Sequence, residues 1–366
     1  MGKLSQIYLF LLLIFGLSGC NSIAYYQQAA SGQLSLLWQR QPIDEVLDDP
    51  QTPPALRHKL TLALQARDFA RDDLALPVGN TFSDYVDLDQ PYVVYNLMVA
   101  PEFSLDPHTW CYPFIGCQSY RGYFHLDDAR AARKPYAEQG NDTFIGGVTA
   151  YSTLGWFDDP IHSGMTRLPD DRMVELMFHE LAHKLVYVSD DTRFNESFAT
   201  AVELEGLKRW LQATGQPEKY QEAQARLERR AQTLALIEDT ASHLKALYAR
   251  QDEMTEDAMR ARKAAVLEEL KAAYRRLEAT WPEPGPLGGV MAHVNNAVLG
   301  LFRQYNSDVP AFRQLLADSG GDFPTFYQRV ETLAEASRAS RREQLDALDQ
   351  RWQPVVADSV VDQTSH

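Results

Sequence analysis

His-Glu-Leu-Ala-His at residues 179–183 constrains this 366-residue chain more than any other stretch. On a helix His179 and His183 are four apart, so both imidazoles leave one face and can grip a single metal ion. Glu180 lies about 100° round that helix. Beside a metal, a carboxylate there can take a proton from a metal-bound water. The neighbours are mostly apolar: Val174, Leu176, Met177 and Phe178 before, Leu181, Ala182, Leu185 and Val186 after. Such a helix is buried nearly all round, and three ionisable positions in it are costly unless something pairs them.

A second stretch, shortly after the pentapeptide, narrows the reading. Phe-Asn-Glu-Ser-Phe-Ala-Thr-Ala-Val-Glu, residues 194–203, reads as the start of another helix. Two histidines and one glutamate leave a fourth zinc position open for water, as catalytic zinc needs. Together the two stretches resemble the zinc core of the aminopeptidase N family and, more distantly, thermolysin. With Leu17-Ser18-Gly19-Cys20 near the start, the whole chain resembles the bacterial family of predicted zinc aminopeptidase lipoproteins, of gluzincin type. The resemblance is specific over residues 110–206. It implies one Zn2+ per chain held by His179, His183 and Glu196, with Glu180 activating the zinc-bound water for peptide hydrolysis.

Two departures qualify what carries over. The stretch between His183 and Glu196 is shorter than in aminopeptidase N. No Gly-x-Met-Glu-Asn motif, by which those enzymes hold a substrate's amino terminus, is found. Peptide hydrolysis is thus better supported than the aminopeptidase mode, and a zinc endopeptidase or a non-catalytic zinc-stabilised envelope scaffold stay open. Glu203 competes with Glu196 as third ligand, because its distance from His183 is like thermolysin's. The Asn-Glu context favours Glu196. Thr200 and Glu203 lie on the same helix face as Glu196 and can back a ligand imidazole.

The first residues read as an export signal, 1–19, outside the fold. Lys3 supplies a charged start, and residues 7–15 are an apolar run too short for a convincing span. Leu17-Ser18-Gly19-Cys20 matches the site after which bacterial lipoproteins are cut and acylated, making Cys20 the lipid-bearing first residue. Asn21 resembles the signal of lipoproteins sent to the outer membrane, so the chain is expected there, facing the periplasm. In an exported chain Cys111 and Cys117 suggest a disulfide closing a small loop, with two free thiols as the alternative. A net charge of −15 argues against nucleic acid as partner; peptide and membrane are the expected partners.

The expected fold is α+β and mostly helical. A helical region spans 20–90, its first residues acting partly as a tether, and a zincin-like core spans 91–216. A long antiparallel helical hairpin spans 217–281, with leucines recurring near 3.5 residues. A C-terminal helical region, 282–353, closes on the core, before a flexible tail, 354–366. Strands are expected over 92–99, 120–125 and 144–151, with a helix over 126–139. The resemblance places the sheet's edge strand, where a peptide can pair, within 146–156. Asp170 or Asp171 is expected to cap the metal helix, the second helix to begin at Asn195, and one helix to run over 290–305. Tyr151 is the first candidate to donate to a developing oxyanion; Tyr120, Tyr123 and His293 compete for that role.

Overall fold

The structure is a computed structural model that describes residues 24–112, 116–149, 158–304 and 308–352. Its architecture is α+β and mostly helical, with small sheets. The chain is already helical at residue 24, and α1 runs over 24–38. A short strand, β1 (Gln41–Pro42), leads to α2 (Ile43–Asp48) and α3 (Pro54–Asp72). Pro54 starts α3 because proline's missing N–H costs nothing in a first turn. Then come β2 (Asp84–Val86), β3 (Val94–Ala100), β4 (Trp110–Tyr112), β5 (Gly116–Gln118), β6 (Tyr120–Tyr123), α4 (Leu126–Glu138) and β7 (Asp142–Val148).

Strand β3 is the centre of an antiparallel sheet in the order β6-β3-β7, with Leu97 opposite both Arg121 and Ile145. It is buried along nearly its whole length, as a central strand covered on both faces should be. Strand β7 is an edge of this sheet; the segment 150–157 beyond it lies outside the described residues. Strands β4 and β5 form a separate hairpin in which Cys111 faces Cys117, joined by a disulfide.

After β8 (Ile161–His162), which pairs in parallel with β2, and the single turn α5 (Ser163–Thr166), the chain enters α6 (Asp170–Ala182) and α7 (Thr192–Ala213). These two helices carry the main core, with Met173, Val174, Met177, Phe178, Phe198, Ala199, Val202 and Leu207 all fully or almost fully buried. They approach closely at Gly206, where a Cβ would lie 2.9 Å from both Phe178 Cδ2 and Leu74 Cδ1. Helix α6 is not capped by an aspartate. Pro169 occupies the cap without a side-chain bond; Asp170 is drawn to Lys59 and His58 of α3, and Asp171 to Arg226. Helix α7 begins three residues earlier than the sequence suggests, because Asp191 caps it by accepting from Phe194 N.

Helices α8 (Lys219–Tyr248) and α9 (Glu256–Glu278) form the antiparallel hairpin, with their own apolar seam of Ile237, Leu244, Tyr248, Leu267, Leu270 and Tyr274. The expected single helix over 290–305 is broken. A 3-10 segment, Gly288–His293, gives way at Val294 and Asn295 to α10 (Asn296–Gln304). Long-range bonds enforce the break. The Asn296 amide donates to the carbonyls of Pro101 and Glu102, its Oδ1 accepts from Tyr248, and Asn295 Oδ1 caps the new helix through Val298 N.

Helices α11 (Val309–Ala317), α12 (Phe323–Glu335) and α13 (Arg338–Asp349) close on α7. One buried carboxylate ties this closure. Asp308 is 2% exposed and accepts from Arg193 and Arg342, while its N–H donates to Ser197 Oγ. Asp308→Ala strands Arg193 and leaves Arg342 with Asp346 alone, beside a vacated pocket. It should cost about 3 kcal/mol, the low end for breaking a buried pair, because both arginines reach water. The check is a lower urea midpoint at unchanged m-value.

Candidate metal centre

The site is made by α6 delivering two side chains and α7 a third. His179 and His183, one turn apart, bring their Nε2 atoms to 3.1 Å of each other. Glu196 comes from the first turn and a half of α7 and fits between them. Its Oε2 is 3.3 Å from His179 Nε2 and its Oε1 is 3.7 Å from His183 Nε2. One donor atom from each of these residues lies within 4.8 Å of the other two. A tetrahedral zinc with bonds of about 2.0–2.1 Å has donor–donor edges of about 3.3 Å, so the trio is spaced as a metal requires. The two rings differ behind the trio: His179 Nδ1 has a carboxylate partner, whereas His183 Nδ1 is buried with no hydrogen-bond partner.

The reversal of direction between the helices depends on Asn195. Its side chain accepts from Val188 N at 2.8 Å and donates to Val188 O at 2.9 Å, clamping the turn that precedes α7. Asp190, at φ +63°, sits in that turn and accepts from Cys117 N, which fastens the disulfide hairpin to the base of the site. Asn195 thus positions Glu196 from the adjacent position, a role that its sequence context alone does not reveal.

Glu203 does not share the metal face. Seven residues along α7, it meets the opposite nitrogen, His179 Nδ1, at 2.6 Å. That bond fixes which nitrogen points at Glu196 and strengthens the imidazole as a donor. Behind Glu203 stands Glu175, almost fully buried and paired with Arg172 and Arg226. Burial, then the Glu203 charge, pushes Glu175 up to about 7 against those two arginines. Thr200 is buried on α7 between Glu196 and Glu203 in sequence.

The electrostatics favour a cation at the centre. Burial opposes charge on His179, but hydrogen bonds to Glu196 and Glu203 carry its pKa well above the ordinary value. Burial pushes His183 down to about 4, despite Glu196, so this ring is neutral and presents a lone pair as a ligand must. Burial works against ionised Glu196, yet His183 and His179 hold its pKa below the ordinary value. Glu203 is lowered the same way, burial being outweighed by its bond to His179.

Glu180, next to His179 in sequence and within range of the His179 and Glu196 charges, also lines a cavity of about 20 Å³ with residues that include Phe82, Asp159, His162 and Met165. That is room for about one water. Burial pushes the Glu180 carboxyl up to about 7, helped by the charges of Glu196 and Asp159 and opposed by His179. His162 belongs to no motif, and nothing around it in sequence singles it out. It is 4% exposed, its Nδ1 has no partner, and burial pushes it down to about 4.

The oxyanion candidates separate. Tyr151 lies outside the described residues. Tyr123 is buried in an aromatic cluster with Tyr25, and His293 is exposed on the 3-10 segment. Tyr120 lies within range of the site's charges. Burial raises its pKa, and the charges of Glu196 and Glu180 raise it further, so the phenol stays protonated and can donate.

No curated protein and no solved structure matches this chain. Residues 24–345 match the model of a family described as "Putative aminopeptidase". That range takes in His179, His183, Glu196, Glu180, the helical hairpin, α11, α12 and the first part of α13, and by it the chain belongs to the family described as "Putative aminopeptidase".

Proposed function

We propose that this chain is a zinc-dependent peptidase of gluzincin type that removes amino-terminal residues from peptides in the cell envelope. The observation that carries the reading is the convergence of His179, His183 and Glu196 donor atoms within 4.8 Å, with a buried glutamate adjacent to the first ligand. When bound there, zinc polarises a scissile carbonyl and lowers the pKa of water toward 7. The other steps belong to the chain. Glu180, poised near 7, takes the proton of the attacking water and returns it to the leaving amine. Tyr120 donates its phenolic hydrogen to the developing oxyanion. Glu203 holds the His179 ring in one tautomer.

Export and anchoring belong to the same reading. Leu17-Ser18-Gly19-Cys20 supports acylation at Cys20, and Asn21 supports delivery to the outer membrane, facing the periplasm. A disulfide between Cys111 and Cys117 suits an oxidising compartment. The testing experiment is hydrolysis of one peptide with a free and with an acetylated amino terminus. Cleavage of the free form alone supports the aminopeptidase mode; equal cleavage of both makes the enzyme an endopeptidase; cleavage of neither by metal-loaded protein overturns the proposal.

Tyr120→Phe separates the oxyanion donor from the rest. It removes one hydrogen bond made in the transition state, so kcat should fall about 10²-fold with little change in KM. Metal content should be unchanged. Wild-type kcat in this variant would take Tyr120 out of the reaction.

A further inference from the structure

We infer that the outward face of α1 is a membrane seat, lying in the zwitterionic headgroup region of the bilayer that holds the Cys20 lipid. The inference rests on acylation of Cys20, as proposed for this chain, and is independent of the peptidase reading. The inner face of α1 is fully engaged. Leu36 packs with Val86, Leu88, Val93 and Val94. Gln28 exchanges hydrogen bonds with Gly122 O and Phe124 N, and Tyr25 stacks on Tyr112 and Tyr123 under the Arg121 guanidinium. Gly32 lies so close to the Phe124 ring that a Cβ there would collide with it. The helix is therefore fastened to the body and is not a loose tether.

Its outer face is open and carries an apolar row beside uncharged Gln27, Ser31 and Ser35. Trp38 is 86% exposed and Leu34 52%, and they sit four apart on one helix face. Tyr26 and Ala30, both exposed, continue the row at the same spacing. Large apolar side chains left this open on an element otherwise well packed mark a surface that something covers.

Two further observations choose the occupant. First, the chain carries 35 Lys and Arg and 50 Asp and Glu, yet residues 4–39 contain none of these. A surface helix with no charge, in an acidic protein, meets no charge-desolvation penalty on entering a bilayer interface and gains nothing from anionic lipid. Second, the reach is short. Four residue steps separate Cys20 from Ala24, a span of roughly 14 Å at full extension. An acylated Cys20 therefore holds the start of α1 within about half a bilayer's thickness of the lipid surface. Tryptophan, at the far end of the same helix, is enriched at the membrane–water interface. The inner side of the same helix contributes Gln33 and Leu36 to the cavity beside Glu180, so the seat also sets where that cavity stands relative to the membrane.

The test uses the mature full chain in phosphatidylcholine vesicles whose acyl chains are brominated at shallow or at deep positions. Trp38→Phe, an exposed and conservative change, isolates Trp38 among the six tryptophans by difference. Mass spectrometry of the same sample reports whether Cys20 is acylated. The expected result is an acylated Cys20, with Trp38 emission shifted to the blue, mostly lost to shallow bromines, largely spared by deep ones, and unaffected by added salt. Unquenched Trp38 on an acylated chain overturns the seat and leaves the anchor standing. Blue-shifted but unquenched Trp38 in a chain that sediments as a dimer overturns it in favour of a second copy. An unmodified Cys20 overturns anchor and seat together.

Discussion

Glu180→Gln is expected to leave fold and metal in place and to remove hydrolysis, lowering kcat by about 10²–10⁴-fold, the range for losing a positioned general base. The substitution keeps the shape of a side chain that is 9% exposed, so packing around it is undisturbed. It also removes the cost of burying a carboxylate, the chief reason that group is pushed up to about 7, so thermal stability should hold or rise. What it takes away is the ability to accept a proton, because an amide oxygen is far less basic than a carboxylate. The His179, His183 and Glu196 donors are untouched, and metal content is the control. Unchanged turnover in metal-replete Glu180→Gln would exclude Glu180 as the base.

The second large effect separates two glutamates of α7 that the sequence leaves in competition. Glu196 meets both Nε2 atoms, whereas Glu203 meets only His179 Nδ1. Glu196→Gln removes the one anionic donor of the trio. It should abolish both metal retention through dialysis and hydrolysis. Glu203→Gln leaves all three donors and loosens the His179 ring, so metal affinity should fall about 10–100-fold while excess zinc restores turnover. Rescue by zinc is the distinguishing readout. If Glu196→Gln keeps its metal while Glu203→Gln loses it, the ligand roles of the two residues are reversed.

Features set by local periodicity are legible in the sequence. The apolar surroundings of residues 179–183 give α6 its buried helix, and the leucines of 227–277 give the α8–α9 hairpin. The Asn-Glu of residues 195–196 marks the helix that meets α6. Features set by distant partners are not legible. Asp170 looks like a cap until Lys59, over a hundred residues earlier in the chain, is seen to hold it. The break before α10 needs the Pro101 and Glu102 carbonyls, which no local pattern reveals. Helix α13 is short and highly charged, with buried Leu345 and Leu348 as its main apolar anchors and Arg341 bonded back to Asp191. His162 enters the site only through β2–β8 pairing. Asn195 reads in sequence as part of a ligand-bearing pattern, while its bonds to Val188 are structural.

Whether the trio holds a working zinc is decided by metal content measured alongside hydrolysis of an unblocked peptide, through one cycle of chelation and zinc return. The purified protein should carry one zinc per chain, lose activity in proportion to metal removed, and regain both together with one equivalent of zinc. The His179→Ala, His183→Ala double variant should neither hold the metal nor recover. Full hydrolysis by metal-free protein, or a stoichiometric zinc retained by the double variant, would contradict a zinc peptidase built on these residues.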